Sequence, residues 1–200
     1  MKLFSIGIYY ATPGRKPVLK KKAQNVSSFG YFQRSGVQEF LNFTSSLLVE
    51  RSEPGQRKTV KEQEYRCHVF IRSDNLGGVL IADQEYPQRV AFTFLTKVLD
   101  QYTTEFPNGA GRWASTSGSH SWPALDSLLE KYQNPREADA MTKVQADLDE
   151  TKIILYDTIE AVLQRGEKLD DLVKKSDDLS LASKSFYKEA RKANSCCVIL

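Results

Sequence analysis

The chain has 200 residues, with 28 lysines and arginines, 25 aspartates and glutamates, and a formal net charge of +3. This near balance of charges gives no reason to propose a nucleic-acid partner. The sequence has no apolar run of the roughly 18 residues that a membrane-spanning helix needs, and its N-terminus has no signal-peptide cleavage pattern. We therefore expect a cytosolic chain with one substantial folded domain and an appendage.

Two periodicities organise the N-terminal two thirds of the chain. Strict alternation of apolar residues from Phe4 to Tyr10 predicts a half-buried strand. Apolar residues at helical spacing between Ser35 and Arg51 predict an amphipathic helix, which Pro54-Gly55 ends. Strands are predicted at 4–10, 18–23, 59–65, 67–72 and 78–82, and helices at 35–51, after position 87 and at 125–132. This order predicts an α+β fold in which helices flank an antiparallel sheet.

The element order and three local sequences resemble a longin domain, the profilin-like regulatory module of some R-SNARE proteins. The matching stretches are Phe29-Gly-Tyr-Phe-Gln-Arg34, Val37-Gln-Glu-Phe40 and Ala82-Asp-Gln-Glu-Tyr-Pro87. The resemblance implies a longin domain over residues 1–133 that folds back on the C-terminal part of the same chain and shelters a lipid. An apolar chain in water gains free energy from any groove that covers it.

Three residues of the first helix are candidates for that groove: Phe40, Phe43 and Leu47. A helical apolar stripe usually faces the core of its own domain, which favours core positions for Phe40 and Leu47. Phe43 lies off the main stripe and is the preferred surface contact. Residues 134–140 contain Pro135, which cannot continue a preceding helix, and are predicted to form a hinge linker.

A heptad register with steps of three and four runs from position 141 to position 193 and predicts a coiled-coil motif over residues 141–195. Its seam consists of Met141, Val144, Leu148, Thr151, Leu155, Thr158, Val162, Arg165, Leu169, Leu172, Ser176, Leu179, Ser183, Phe186, Ala190 and Ala193. The spacing is unbroken on both sides of Arg165. A charge buried by coiled-coil assembly is costly without a partner, so we expect partner helices with polar groups that receive the guanidinium.

The stretches Asp149-Glu-Thr-Lys-Ile-Ile-Leu155 and Leu163-Gln-Arg-Gly-Glu-Lys-Leu169 resemble the core motif of an R-SNARE. The resemblance implies that Arg165 is the zero-layer arginine, which meets three glutamines from three glutamine-type SNARE helices. It also implies a role in vesicle docking and membrane fusion, with closed and open states set by the longin domain. The alternatives are an ordinary coiled coil with one misassigned edge charge, a homomeric scaffold, and a lipid-anchored longin adaptor without a fusion role.

Residues 196–200 form a predicted lipidation tail, because Cys197-Val-Ile-Leu200 fits the prenylation motif. Cys196 is then a natural palmitoylation site. One lipid binds a bilayer only marginally, so stable anchoring takes both. Leu200 favours geranylgeranyl by the general rule, whereas the lipid-anchored R-SNAREs that the chain resembles mostly end in methionine, which favours farnesyl. The sequence therefore does not decide whether the lipid on Cys197 is farnesyl or geranylgeranyl.

Signals for an enzyme are thin, and we predict no catalytic residues, no metal and no cofactor other than the covalent lipids. The sequence has no phosphate-binding P-loop motif, and its histidines, His68 and His120, are isolated from one another. The expected location is a cytoplasmic pool together with the cytosolic face of Golgi, endosomal, vacuolar or vesicle membranes. The sequence does not choose among these compartments or among sets of partner helices.

Overall fold

The structure, a computed structural model, describes residues 2–12, 14–62, 64–108, 111–115, 122–134 and 152–195. The strands are β1 (Leu3–Tyr10), β2 (Val18–Gln24), β3 (Arg57–Glu62), β4 (Tyr65–Ile71), β5 (Leu76–Asp83) and β6 (Ile153–Tyr156). The helices are α1 (Arg34–Glu50), α2 (Gln88–Glu105), α3 (Arg112–Ser115), α4 (Pro123–Lys131), α5 (Leu169–Lys175) and α6 (Leu181–Ser195). Short 3-10 turns lie at Tyr31–Gln33 and Glu160–Val162.

The six strands form one sheet in the order β2-β1-β5-β4-β3-β6. The first five strands pair antiparallel, and β6 pairs in parallel with β3, with Ile153 opposite Arg57 and Tyr156 opposite Val60. The predicted α+β class is therefore confirmed, but the sheet is mixed. Its sixth strand comes from the segment for which the heptad register predicted a helix.

β1 is not the half-buried strand that alternation predicted. It lies inside the sheet between β2 and β5, and its polar face is as deeply covered as its apolar face. Ser5 is 3% exposed and Tyr9 is 2% exposed. The prediction was wrong because helices cover both faces of the sheet, so that alternate side chains enter two different cores.

One core lies between the sheet and α2 to α4, and the other lies on the opposite face. The second core combines side chains of the sheet and α1 with Ile159, Leu169, Val173, Leu179 and Tyr187. All five of these residues belong to the C-terminal segment, residues 152–195. The first 134 residues alone would leave that apolar surface uncovered, so the C-terminal segment is part of the folded unit.

The predicted continuous coiled-coil helix is replaced in the C-terminal segment by a strand, a 3-10 turn and two separate helices. The physical reason is that the apolar side chains of a heptad seam require burial, and here the surface of the N-terminal domain supplies it without any partner helix. Within residues 152–195 the continuous helix is therefore not the structure of the single chain.

Candidate functional site

A cavity of about 580 Å³ lies between the second face of the sheet, α1 and the C-terminal segment. Its N-terminal wall includes Phe4, Phe29, Val37, Phe40, Leu41, Thr44, Tyr65, Cys67 and Ile81. Its C-terminal wall includes Thr158, Ile159, Leu169, Phe186, Tyr187 and Ala190, and charged groups at the cavity are Glu62, Glu64, Glu160 and Arg191. We call this space the groove. Its mostly apolar lining and its volume, within the range of roughly 300–1,000 Å³ for small-molecule pockets, suit an apolar ligand.

Aromatic rings join the two walls of the groove. The ring of Phe40 on α1 lies 6.3 Å from that of Phe186 and 5.4 Å from that of Tyr187, both on α6. Phe29, from the loop before α1, meets Phe186 edge to face at 6.4 Å. Such pairs contribute about 0.5–1.5 kcal/mol each beyond simple burial, so this cluster holds α6 against the longin domain.

α1 and α6 pack closely because α1 has a glycine at their contact. A Cβ placed on Gly36 would lie 3.4 Å from backbone atoms of Ala182 and Ser183. That distance is just van der Waals contact, so alanine is the largest residue that fits without displacing α6. A small residue at position 36 is therefore required for this separation of the two helices.

The first turn of α6 is bound to α1 through Glu39. Its carboxylate accepts a hydrogen bond of 2.9 Å from the backbone N–H of Ser180 and another of 2.5 Å from the hydroxyl of Ser183. Ser183 is fully buried. These bonds, above all the one from Ser183, hold the pKa of the Glu39 carboxyl below its ordinary value. The carboxylate here satisfies free N–H and O–H donors at a helix start.

A second polar network ties parts of the C-terminal segment to each other. The hydroxyl of Tyr187 donates a 2.7 Å hydrogen bond to Asp170, and Arg191 pairs with Asp170 and, at 3.5 Å, with Glu160. The bond from Tyr187 is the main reason that the pKa of Asp170 is lowered, and burial followed by this bond raises the pKa of Tyr187. The network therefore fixes α5, α6 and the 3-10 turn relative to one another.

The entry of the C-terminal segment is fixed by β6 and the turn after it. The carboxylate of Glu62, at the end of β3, accepts a 2.9 Å hydrogen bond from the backbone N–H of Ile159. The Ile159 side chain is 2% exposed and points into the second core, whereas Leu155 on β6 is 67% exposed. Two aliphatic residues of similar size, close together in the sequence, are thus one buried and the other exposed.

Arg165 lies at the exposed tip of a tight turn. The N–H of Glu167 donates to the carbonyl of Gln164 at 3.0 Å, and Gly166 has φ +89°. The Glu167 carboxylate binds the guanidinium of Arg51, at the end of α1, at 2.8 and 3.1 Å. The turn is thereby attached to the longin domain while the arginine faces solvent.

The other seam residues divide between buried and exposed positions. Leu169, Leu179 and Ser183 are buried; Val162, Leu172, Ser176, Phe186 and Ala190 are half-buried; Leu155 and Thr158 are exposed. Met141, Val144, Leu148 and Thr151 lie outside the described residues, and only the backbone of Ala193 is described, in α6. The structure thus covers part of the seam with the longin domain.

The three candidate groove residues on α1 lie in two places. Phe40 is half-buried and lines the groove. Phe43 and Leu47 line a second cavity, of about 520 Å³, on the other side of α1 beside Leu172 of α5. Leu47 is buried in the core, and Phe43 packs half-buried against the same cluster. Phe40 is therefore the one of the three that the geometry places at the groove.

The histidine and cysteine side chains within the described residues are structural. His68 is fully buried beside Thr59, and burial lowers its pKa to about 3, so it stays neutral. Burial raises the pKa of Cys67 to about 12, which keeps this groove-lining thiol protonated and unreactive. His120, Cys196 and Cys197 lie outside the described residues.

Two negative findings hold for the part of the chain that the structure describes. Its histidine, cysteine, aspartate and glutamate side chains nowhere form a group of three that could hold a metal ion. None of its helices has both the length and the apolar content to span a membrane.

Sequence reasoning missed the contacts that hold the C-terminal segment in place. Gly36, Glu39, Ile159 and Tyr187 do not belong to the heptad seam, and the register gives them no role. A signal did exist for Ile159, because it is a large apolar residue outside the seam of a predicted coiled coil. Such a residue needs a second burial site.

Comparisons with known proteins identify both parts of the chain. Residues 26–129 match the family Longin, a regulated-SNARE-like domain, and residues 140–198 match the family Synaptobrevin. The "Synaptobrevin homolog ykt6" of Schizosaccharomyces pombe is 50% identical over 200 residues, covering 100% of both chains. The homologues of Saccharomyces cerevisiae and Eremothecium gossypii are 45% and 48% identical, again over 100% of both chains. The chain therefore belongs to the synaptobrevin-like R-SNAREs that carry an N-terminal longin domain and act in vesicle fusion.

Proposed function

We propose that the structure represents a closed, cytosolic form of this R-SNARE, in which the longin domain covers part of the SNARE seam and the groove shelters the lipid of the C-terminus. The observation that carries the proposal is the groove itself, since one of its walls is longin and the other is SNARE segment. α6, which supplies Phe186, Tyr187 and Ala190 to that wall, leads directly to Cys196 and Cys197.

The groove has the properties that a prenyl chain requires. Each methylene removed from water contributes about 0.8 kcal/mol, so a covered isoprenoid stabilises the closed form by several kcal/mol. We propose that Cys197 is prenylated and Cys196 is palmitoylated, which would give two anchors when the chain opens. The adjacent charges give little help, because Glu189 interrupts the basic residues of α6.

The partners we propose are three glutamine-type SNARE helices, with Arg165 meeting their glutamines. Assembly requires Leu155, Leu169 and Leu179 on one helical seam, whereas the closed form has the first in a strand and the other two in the longin core. One side chain cannot be buried in both places, so closure and assembly exclude one another. The membranes of the Golgi, endosomes, vacuole or vesicles are the proposed sites of action.

A matched pair of substitutions tests this proposal in the full-length chain prenylated in vitro. Ile159→Glu places a charge in the second core near Glu62 and Glu160, and it leaves every seam residue in place. We expect it to open the chain, increase its flotation with phospholipid vesicles and leave assembly with three glutamine-type SNARE helices intact. Burial of an unpaired carboxylate costs several kcal/mol, which is more than a single side-chain contact contributes to the closed form.

Leu155→Glu is the counterpart, because its side chain is exposed in the closed form and belongs to the seam. It should leave flotation low and prevent assembly into an SDS-resistant complex. The closed-form proposal is contradicted if Ile159→Glu floats no better than the unmodified sequence. A chain that assembles with no organelle's set of partner helices, or a Leu155→Glu variant that assembles normally, favours the lipid-anchored adaptor instead.

A further inference from the structure

The Gln164–Glu167 turn has an unusual backbone at one position. Within the described residues 152–195, Gly166 is the only residue with a positive φ, at +89°. Residues with a Cβ occupy this left-handed region at a cost, because the Cβ approaches the neighbouring carbonyl oxygen. The hydrogen bond from the N–H of Glu167 to the carbonyl of Gln164 closes the turn around this position.

Packing gives no reason for a glycine at this position. A Cβ built on Gly166 would meet no atom within 4 Å, and the residue is exposed. The backbone conformation is therefore the only property of the closed form that requires glycine. A substitution here changes the preference of the chain for the turn without altering any side-chain contact.

The turn is coupled to closure because it is bound to the longin domain. Glu167 holds Arg51 through two hydrogen bonds, and its second oxygen also accepts a 2.9 Å bond from the N–H of Gln164. The Arg51 side chain is only 13% exposed in this ion pair. If the backbone at Gly166 leaves the left-handed region, the Glu167 carboxylate moves away from Arg51 at the end of α1.

We propose that Gly166 is a switch residue that favours the closed form over the assembled helix through two additive effects. It permits the left-handed turn in the closed form. In the bundle the same position follows Arg165 on a continuous helix, where φ is near −63° and glycine is unfavourable relative to alanine by about fivefold in the equilibrium constant. This inference rests on the proposed alternation between closed and assembled forms.

The test is Gly166→Ala in the full-length chain prenylated in vitro, with Gly111→Ala as the matched control. Gly111 has φ +69° and also has no atom within 4 Å of a built Cβ, but it lies just before α3, which packs on the opposite face of the sheet from α5 and α6. Gly166→Ala should raise hydrogen exchange of the β6 amides by about tenfold or more, since it strains the turn and favours the helix. It should also accelerate assembly with three glutamine-type SNARE helices.

A second variant has the same atoms as Gly166→Ala in the opposite configuration, and it should have the opposite effect on closure. D-alanine at position 166, introduced by ligation of a synthetic C-terminal peptide, favours positive φ and disfavours the right-handed helix. It should slow β6 exchange and slow assembly relative to Gly166→Ala. Protected amides in β1 and β5 in every variant verify that the domain remains folded.

The outcomes separate this inference from the function on which it rests. If β6 is unprotected in the unmodified chain, the closed form itself fails. If β6 is protected in the unmodified chain, and Gly166→Ala changes exchange and assembly no more than Gly111→Ala does, the assignment of Gly166 is overturned alone. Equal behaviour of the L- and D-alanine variants overturns it as well.

Discussion

Glu39 and its two serine partners bind the start of α6 to α1. Because hydrogen bonds from Ser183 and Ser180 lower the pKa of Glu39, the carboxylate form is favoured when the chain is closed. A group with a lowered pKa contributes stability above its unfolded pKa and loses it as the pH falls through the folded value. The contribution of Glu39 to the closed form should therefore be lost in acid, as the pH falls below the ordinary pKa of 4.5 for this side chain.

Glu39→Gln tests this contact. The amide oxygen still accepts hydrogen bonds, but the charge that strengthens them is gone, and we expect the closed-to-open ratio at pH 7 to fall by about fivefold. The ratio is measured by energy transfer between fluorophores on the longin domain and on α6. Asp170 also has a lowered pKa and titrates with the same sign, so the informative quantity is the difference between variant and unmodified chain. An unchanged ratio at pH 7 would contradict the role given to Glu39.

At the scale of elements, the packing of α1 against α6 depends on the close approach at Gly36. Gly36→Leu inserts a branched side chain where even a Cβ touches the α6 backbone, so α6 must move away. We expect α6 to become sensitive to limited proteolysis while α2 and the sheet stay resistant, because α1 keeps its other contacts with the sheet.

Ser35→Leu is the control for that substitution. Ser35 is exposed and lies on the same helix, one residue earlier. It adds the same side chain and the same helix propensity without touching α6. Equal proteolysis of the two variants would show that the effect is a general property of leucine on α1 and has no relation to helix packing.

The sequence predicted most of the longin elements, because periodicity and turn residues decide them locally. It did not predict β6, since the heptad register includes Leu155 and therefore assigned these residues to a helix. The β-branched pair Ile153-Ile154 suits either structure, and the unpaired edge of β3 decides between them. A long-range partner of this kind has no local signature. The same reason explains why the seam was readable from spacing, whereas the contacts that Ile159 and Tyr187 make with the N-terminal domain were not. For Ile159 the sequence indicated only that a second burial site was needed.

At the scale of the whole molecule, the proposed function gives one segment two sets of contacts, and it assigns Arg165 to only one of them. Its side chain is exposed in the closed form, whereas the flanking Leu169 is 5% exposed in the longin core. Substitutions at Leu169 therefore affect both states at once. Substitutions at Arg165 act on the assembled state alone.

Arg165→Leu should leave the free energy of unfolding of the closed chain unchanged within about 0.5 kcal/mol, because it alters an exposed residue. Urea denaturation of the full-length chain measures this quantity. With glutamine-type partners, the same variant should assemble with the helices out of register or show impaired cycling. The reason is that the polar groups that receive the guanidinium lose their hydrogen-bonding partner. A longin adaptor would instead bind its partners as well as before or better.

β3 gives a further consequence for solubility. When β6 leaves, β3 becomes a free sheet edge, and free edges recruit strands from other molecules and lead to aggregation. β3 carries three basic residues, Arg57, Lys58 and Lys61, and one acidic residue, Glu62, so its net charge is positive. In the closed form the Lys58 ammonium lies 5.8 Å from the centre of the Tyr156 ring and donates a 2.7 Å hydrogen bond to the carbonyl of Arg51, so it loses only the ring when β6 departs. This net positive charge would oppose the pairing of two opened molecules at β3, and it would favour a monomer while the chain waits for its partners.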